Sequence, residues 1–583
     1  MALTTSVAII ALFWWVHAAV VLASVLGAWP LRNRWLARTI LALGLVGVGI
    51  VVKRVTAAAR GRNLPSITIE AAAKTNRGID RYPAVVGGLI TAFAVVALAA
   101  VALTAVYLPM TAYDALGYRV PTIAQWLDAG RIQWVTSDDP VRNGYPMGLE
   151  AIGAVVAASF NSMALVDLLS VPLLVAGAMG VWLMAALAGV RPALAVTASA
   201  VFVLAPIGLL NAPSGYVDAA FSGALVMALK GTGFAFVAVA LLAAGGRGYF
   251  AKSLSASKVG WIVLFSLPGL FWITRNAVFT GNPLWPIDLT VAGIHLLSGV
   301  SPVDSIMDVV HNTPPELRNH QGLVQVILTW LQPWGPATGF DERLAGLGYA
   351  WPVAAVPAIS GCMVTAVRKK AYRNLPVFVI ALTGLWFVLQ PMRWWSRYTL
   401  WLWGAGALAL ALTAEALVAR ARRKSLALGL TLVAALCVGE GAFTLYYLGG
   451  IGPHLTADPK PALADIGFNN VRRGAEKFAG LDPSFWKLGL DRSRYICRGS
   501  WKRGTDDANL DGLFAQLQPR PHVLIFDDER TDWPAIKAQW LRTACDYLVL
   551  MSKSPLVTQA QSDPSVQVVR AIAFDPLFVV NRL

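Results

Sequence analysis

Charged side chains are scarce in this chain, since only 14% of its 583 residues are Asp, Glu, Lys or Arg. Soluble globular domains carry about 25% charged residues. The first 28 residues contain none of the four charged types. A secretory signal peptide would need a basic n-region and a small-residue cleavage site, and neither is clear here. The deficit excludes a soluble globular protein, and residues 5–26 are predicted to form a retained helix.

Cysteine is also rare, with four residues in the chain. Cys362 and Cys437 fall in apolar stretches, whereas Cys497 and Cys545 fall in a more polar C-terminal tail. None of the spacings is typical of a zinc site. The stretch KGTG (230–233) lacks the GxxxxGK[ST] pattern, so it is not a P-loop.

Long hydrophobic runs dominate the rest of the chain, which is 56% hydrophobic with a mean hydropathy of +0.59. A helix of about 20 apolar residues crosses the hydrocarbon core of a bilayer. The chain is therefore predicted to be an all-α polytopic membrane protein with about 11 transmembrane helices. The predicted spans lie near 5–26, 36–52, 85–108, 163–188, 192–210, 217–243, 259–274, 347–366, 375–391, 399–418 and 426–448.

Two stretches do not fit a simple span. The apolar stretch 147–160 is too short to cross the membrane and is predicted to be a half-inserted or juxtamembrane helix. Residues 217–243 form either one helix with Lys230 in its middle or a re-entrant turn at KGTG followed by a span. Both alternatives leave the rest of the topology unchanged.

Basic residues predict the orientation, because short cytoplasmic loops carry an excess of Lys and Arg. With the N-terminus in the cytoplasm, the inner loops hold 19 Lys and Arg and the outer loops hold 11. Arg32, Arg34 and Arg38 run against this assignment, which makes the first helix pair its weakest part. The formal net charge of +16 is accordingly interpreted as membrane orientation rather than nucleic-acid binding.

The tail, residues 449–583, is predicted to be a small α/β extracytoplasmic domain with 17 basic and 15 acidic residues. The stretches HVLIFDD (522–528) and DYLVLM (546–551) are typical of strands, and WPAIKAQWLRTA between them is typical of a helix. In an oxidising compartment Cys497 and Cys545 either form a disulfide or remain two unrelated thiols.

Four polar segments end on the outer face in this topology, each beside apolar helices. They are the loop 109–146 with Asp114, Tyr118 and Arg119, NAPSGYVD (211–218) with Asp218, ITRNAVFTGNPLWP (273–286) with Arg275 and Asn276, and MRWWSRYTLW (392–401) with Arg393 and Arg397. A carboxylate can accept a proton from an acceptor hydroxyl, and arginines can hold a phosphate as charge builds on a leaving oxygen. The combination favours sugar transfer from a polyprenyl-phosphate donor, which needs no nucleotide.

Each feature also has an ordinary structural explanation. A carboxylate just past a helix end often caps the helix or is solvated, and arginines at such ends snorkel to lipid headgroups. The tryptophans of RWWSRYTLWLW are typical of an interfacial aromatic belt. What favours a common site is that all four polar segments are predicted on the same side of the membrane.

The stretch YDALGYRVPTIAQWLDAGRIQWVTSDDPVRNGYPMGLEAI (113–152) resembles the first outer loop of bacterial GT-C glycosyltransferases. This is the dolichyl- or undecaprenyl-phosphate-sugar family of protein mannosyltransferase-like and lipid A aminoarabinose transferase-like enzymes. YVDAAF (216–221), RNAVFTGNPLWP (275–286) and RWWSRY (393–398) resemble further family landmarks in the family's order, so that the likeness covers roughly residues 83–420. The matching positions of the first loop are Asp114, Tyr118, Pro121, Trp126, Gly130, Asp138 with Asp139, Pro146 and Glu150.

The resemblance implies a GT-C-like transmembrane catalytic core at 83–448, with outer loops 109–162 and 275–346. Two N-terminal helices and a basic loop precede it in 1–82. The resemblance also implies site residues. It implies a catalytic base at Asp114. Asp138, Asp139 and Glu150 are the acceptor-side or secondary acids. The implied donor-phosphate residues are Arg119, Arg275, Arg393, Arg397 and Lys230, and the other site candidates are Tyr113, Tyr118, Asp218, Asn276 and Tyr398.

The sequence departs from the family in three places. Arg119 stands where the family usually has His, two helices precede the family's first span, and the region after Asp218 is shortened, so that the role of Lys230 transfers poorly. No obligatory cofactor is predicted, although Asp114 with Asp138 or Asp139 could supply oxygen ligands to a divalent metal.

The predicted function is an inverting glycosyltransferase of the bacterial inner membrane, with membrane lipids, a polyprenyl-phosphate-linked sugar and an extracytoplasmic glycan, lipid or protein acceptor as partners. No nucleic-acid partner is expected. The alternative is a non-catalytic transporter or scaffold for lipid-linked sugars. A transporter would be expected to have internal repeats and ionisable residues near the membrane midplane, where only Lys230 and Glu440 fall here.

Overall fold

A computed structural model describes most of the chain, and 74% of the described residues are helical. All structural statements below concern these residues. They are 2–61, 81–107, 110, 112, 114–135, 142–214, 256–291, 293–302, 312–332, 346–369, 375–389, 392–419, 423–448, 495–500, 522–527, 532–543, 545, 547–551, 555–572 and 576–582.

The helices follow the hydrophobic runs of the sequence. They are α1 (Ala2–Val25), α2 (Arg34–Gly61), α3 (Arg81–Tyr107), α4 (Val120–Ala129), α5 (Gly148–Phe160), α6 (Ser170–Leu187), α7 (Pro192–Val203), α8 (Pro206–Asn211), α9 (Ala256–Thr280), α10 (Pro315–Arg318), α11 (Leu323–Leu331), α12 (Val356–Lys369), α13 (Leu375–Leu389), α14 (Ser396–Thr399), α15 (Leu402–Ala419) and α16 (Arg423–Leu448). A π-helical turn precedes α4 at Ala115–Arg119, and another precedes α12 at Trp351–Ala355.

Five of these helices are long and apolar enough to cross a membrane, as judged by length and composition over the described residues. Their apolar segments are Val7–Val25, Arg34–Arg54, Tyr82–Val106, Asp167–Leu187 and Ala427–Tyr446. They coincide with the predicted spans near 5–26, 36–52, 85–108, 163–188 and 426–448. The total of eleven stays a prediction, and residues 217–243 lie outside the described part of the chain.

The predicted span 192–210 is wrong as a single helix. Helix α7 ends at Val203 and the short α8 begins at Pro206. Proline disfavours the helical conformation in the residue before it and has no N–H for the helix ladder. Ala205 accordingly has an extended backbone, with φ −56° and ψ 121°. The chain therefore turns within what its hydropathy alone presents as one continuous run.

The membrane-type helices share one hydrophobic core. Helix α1 packs on α2, α5 and α6, while α7 packs on α3, α6 and α15. Helix α5 has 13 residues and is almost entirely buried against these neighbours. This confirms a short helix at 147–160, and its depth in the membrane stays a prediction.

The turn between α1 and α2 lies against the first large loop. The Leu31 N–H donates to the Gly130 carbonyl at 2.9 Å, and the Ile132 N–H donates to Ser24 Oγ at 3.1 Å. Arg38 Nε donates to the Ser159 carbonyl at 2.9 Å, near the end of α5. The turn and the loop therefore lie at the same end of the bundle, as the predicted topology requires.

Two small sheets complete the described structure. Strands β1 (Ile287–Val291), β2 (Ile294–Leu297) and β3 (Ser301–Pro302) form a three-stranded sheet after α9, in the order β2–β1–β3. In the tail, the five-stranded order is β5–β4–β6–β8–β7. Its elements are β4 (Tyr495–Ser500), β5 (His522–Asp527), α17 (Trp533–Leu541), β6 (Tyr547–Met551), α18 (Pro555–Gln561), β7 (Val566–Ile572) and β8 (Pro576–Arg582).

Strands β5 and β6 flank α17 in sequence, at the positions that the sequence pattern predicts, but β4 lies between them in the sheet and is parallel to both. Cys545, just before β6, is disulfide-bonded, whereas Cys362 and Cys437 are not. Trp540 of α17 packs with Leu548 and Val580 in a core of its own. The assignment of 449–583 as a separate extracytoplasmic domain stays a prediction.

One glycine sets how closely α3 approaches α7. A Cβ on Gly87 would collide with Thr197 Oγ1 and would lie 3.3 Å from the Ala193 carbonyl. The neighbouring Gly88 has nothing within 4 Å of the same position. Small residues of this kind allow membrane helices to pack closely.

We expect Gly87→Leu to lower the thermal unfolding midpoint in detergent, because overpacking a close contact costs about 1–3 kcal/mol. The matched control is Gly88→Leu, which adds the same side chain one residue away, in open space. Equal midpoints for the two variants would contradict the close contact between α3 and α7.

Candidate functional site

Asp114 lies immediately before the π-helical turn Ala115–Arg119, which continues directly into α4. In this turn the Val120 N–H donates to the Ala115 carbonyl, one residue further back than in an α-helix. Pro121 follows and cannot donate to the carbonyl four residues before it. The wider turn is a local consequence of this proline, and single π-turns occur frequently at functional sites.

An ion pair joins Asp114 to the distant segment 392–401. Asp114 Oδ2 lies 3.4 Å from Arg397 Nη1, and the side chains are 18% and 5% exposed. Arg397 lies in the short helix α14, and its Nη2 is 3.1 Å from the Tyr398 hydroxyl. The guanidinium carbon also lies 4.8 Å from the ring centroid of Trp395. The structure therefore brings together the acid and one arginine of two segments predicted to share a face.

A second buried ion pair adjoins the first. Arg119 Nε lies 3.5 Å from Glu150 Oε1, with both side chains less than a tenth exposed. Arg119 comes from the end of the π-turn and Glu150 from the first turn of α5. Buried charges require partners, so this pair fixes the start of α4 against α5.

The Tyr118 ring stacks on Tyr145, with centroids 5.3 Å apart. Burial raises the pKa of Tyr118 well above its usual value, and the nearby Asp114 charge raises it further, although Arg119 acts in the opposite direction. The phenol is therefore protonated at neutral pH and can donate a hydrogen bond next to the Asp114 carboxylate.

Arg275 is turned toward backbone rather than toward Asp114. Its Nη2 donates to the Asn143 carbonyl, and also to Asn276 Oδ1 at 2.9 Å. Its guanidinium carbon lies 4.7 Å from the Trp272 ring centroid and 5.3 Å from that of Trp134. These contacts tie the end of α9 to the first loop. The predicted phosphate role of Arg275 stays a prediction.

Asn143 closes the segment that carries the predicted acidic pair. The Val135 N–H donates to Asn143 Oδ1 at 2.8 Å, and Asn143 Nδ2 donates to the Val135 carbonyl at 2.7 Å, across eight positions of sequence. Asn276 Nδ2 in turn donates to the Gly144 carbonyl at 3.2 Å. Both ends of the segment 136–141 are thus fixed to each other and to α9.

Arg393 is half-buried, and its Nη1 donates to the Val388 carbonyl at 3.2 Å, near the C-terminal end of α13. A basic side chain at a helix C-terminus satisfies an otherwise unpaired carbonyl. Five predicted site residues lie outside the described part of the chain. They are Tyr113, Asp138, Asp139, Asp218 and Lys230.

Sequence reasoning missed three residues that shape this region: Tyr145, Asn143 and Trp395. Tyr145 and Asn143 belong to the stretch VRNGYP of the first loop, and Trp395 lies two residues before Arg397. The sequence could have indicated these residues, because they lie inside the polar segments 109–146 and 392–401. Which residues they contact depends on the tertiary structure, so spacing along the chain could not reveal it.

No cluster of three His, Cys, Asp or Glu side chains that could hold a metal ion occurs among the described residues. The Asp114 carboxylate contacts a guanidinium there. Because Asp138 and Asp139 are not described, the role of a divalent metal stays an open prediction.

Comparison with known proteins gives no relative: no protein-family model, no curated protein and no solved structure matches the chain.

We expect Arg119 and Glu150 to be strongly coupled in stability. Removing one partner of a buried ion pair leaves an uncompensated charge and costs about 3–5 kcal/mol. Arg119→Met and Glu150→Leu should therefore each destabilise the protein, and the double variant should lose much less than the sum of the two. Thermal unfolding in detergent of all four proteins measures this, and additive losses would mean that the two side chains do not interact.

Proposed function

We propose that the protein is an integral-membrane glycosyltransferase that moves a sugar from a polyprenyl-phosphate donor to an acceptor outside the cytoplasm. The observation that carries the proposal is the contact between Asp114 and Arg397, a partly exposed carboxylate and a buried guanidinium. Sugar transfer from a phosphate needs a base for the acceptor and a cation for the leaving group. This pair supplies one of each at adjacent positions.

Asp114 is the proposed general base. Its side chain is 18% exposed, so the carboxylate remains accessible while Arg397 holds one of its oxygens. The acceptor hydroxyl oxygen bonds to the anomeric carbon, its proton passes to Asp114, and the bond from the anomeric carbon to the phosphate oxygen breaks. The electron pair of that bond leaves with the polyprenyl phosphate. Attack opposite the leaving group inverts the anomeric centre.

Arg397 is the proposed principal phosphate ligand. Contacts with Tyr398 and Trp395 hold the guanidinium plane in one orientation. A preorganised cation stabilises charge that develops on the leaving phosphate without reorganising during the reaction. Arg393 and Arg119 are secondary candidates for binding the phosphate. Arg393 is half-exposed and close to Arg397 in sequence, and Arg119 lies in the same loop as Asp114.

The apolar helices of the protein support a lipid-linked sugar as the donor. In the part of the chain that the structure describes, five helices are long and apolar enough to cross a bilayer, and Asp114 follows one of them, α3, by seven residues. A polyprenyl chain keeps its tail in hydrocarbon and its phosphate at the interface, which is where charged residues near the ends of spans meet it. The outer side of the membrane follows from the predicted distribution of Lys and Arg.

The first test is Asp114→Asn, assayed in liposomes with a panel of labelled polyprenyl-phosphate sugars and crude cell-envelope acceptor. We expect a loss of transfer of about 100-fold or more, the scale of a missing general base. The matched control is Asp128→Asn, the same change at an exposed carboxylate of α4. Full activity in the Asp114 variant would move the base to Asp138 or Asp139.

The second test is Arg397→Lys, which keeps the charge but loses the planar fork and the aromatic contacts. We expect transfer to fall roughly 10- to 100-fold, as for loss of a charge-assisted hydrogen bond of about 1.5–3 kcal/mol. Arg131→Lys, at an exposed arginine after α4, is the control. An unchanged kcat and KM for the donor would remove Arg397 from the phosphate site.

The same assay separates the alternative, a transporter or scaffold for lipid-linked sugars. Absence of transfer with every donor, together with tight binding of one of them, would favour that function over catalysis.

A further inference from the structure

Helix α11, Leu323–Leu331, exposes four large apolar side chains although it belongs to the predicted outer loop 275–346. The exposed fractions are 63% for Leu323, 48% for Val324, 44% for Ile327 and 65% for Leu331. With about 100° of rotation per residue, these positions fall on one face of the helix. An apolar face this complete is unusual on a surface that meets only water.

The opposite face of α11 fixes it to the rest of the protein. Val326 is fully buried, and it packs with Trp394 and Trp395 of the segment that carries Arg397. Trp330 lies 5.2 Å from Trp351, measured between ring centroids. The exposed face is therefore held in a fixed place relative to the candidate site.

A sharp change of polarity marks the start of α11. Arg318, Asn319, His320 and Gln321 are all exposed polar residues, and Gly322, with φ +56°, turns the chain into the apolar helix. This order of residues is what we expect of a chain that passes from water to the membrane interface.

The exposed apolar surface continues onto the elements beside α11. Trp330 contacts Phe387 of α13, with centroids 5.5 Å apart. On α13, Leu385 is 47% and Val388 is 61% exposed. In the π-turn that α11 also touches, Val353 is 54% exposed. Helix α13 belongs to the predicted span 375–391, so this continuous surface is the one that would face lipid.

We infer that α11 is an interfacial helix, which lies along the membrane surface at the site end of the bundle with its apolar face among the lipid chains. Its partner is the bilayer itself. Nine residues are too few to cross the hydrocarbon, but an apolar face of this kind anchors a helix in the interface plane. The anchor fixes the depth of the Trp394–Trp395 segment, and therefore of Arg397, relative to the lipid headgroups.

The test measures the depth of α11 in the full-length protein, in nanodiscs of phosphatidylethanolamine and phosphatidylglycerol. Cys362 and Cys437 are replaced by alanine and the disulfide at Cys545 is retained. A nitroxide is attached at Ile327→Cys, or at Asn319→Cys as the matched control on the polar side of Gly322. Collisions with oxygen, which concentrates in hydrocarbon, and with a water-soluble nickel chelate are then compared.

We expect the oxygen-to-nickel ratio to be severalfold higher at position 327 than at position 319. Equal ratios with free access of nickel to both labels would overturn the inference. A label at 327 that neither reagent reaches would mean that protein covers the face, and dipolar coupling between labels would identify a second copy. The measurement uses no donor or acceptor, so its outcome is independent of the proposed transferase activity.

Discussion

The structure depends on how two buried arginines are neutralised. Arg119 and Arg397 are each less than a tenth exposed; Arg119 pairs with Glu150, and Arg397 pairs with Asp114. Removing one partner of a buried ion pair leaves an uncompensated charge, so each pair holds together two segments that are separated in sequence. Arg119 holds the first loop to α5, and Arg397 holds it to the segment before α15. The candidate site is thus assembled by the same contacts that neutralise these charges.

Three other arginines donate hydrogen bonds to backbone carbonyls. Arg38 donates to the Ser159 carbonyl, Arg275 to the Asn143 carbonyl and Arg393 to the Val388 carbonyl. Of these, Arg38 is one of the residues that run against the predicted orientation when basic residues are counted. Its carbonyl partner gives it a structural role that a count of charges along the sequence cannot reveal.

Much of the helical architecture was predictable because hydrophobic length is a property of the sequence itself. Among the described residues, the five helices that are long and apolar enough to cross a membrane fall where the runs predict them. The error at 192–210 arose because hydropathy averaged over Pro206, although the proline was itself the signal of a break. For the site, the shared face of the loop and the segment 392–401 was predictable. The Arg119–Glu150 pair and the Tyr118–Tyr145 stack were not, since each joins two parts of the loop that only the tertiary fold brings together.

The closure of residues 136–141 by the Asn143 side chain has a consequence for how this protein can change. The hydrogen bonds at Val135 hold the two ends of the segment together whatever lies between them. We therefore expect substitutions in the interval to leave the Asp114–Arg397 and Arg119–Glu150 pairs in place. Under the proposed function, the base Asp114 and the phosphate ligand Arg397 lie outside this interval, whereas the predicted acceptor-side acids Asp138 and Asp139 lie inside it. Under that proposal, substitutions in the interval would alter the acceptor side without replacing either member of the Asp114–Arg397 pair.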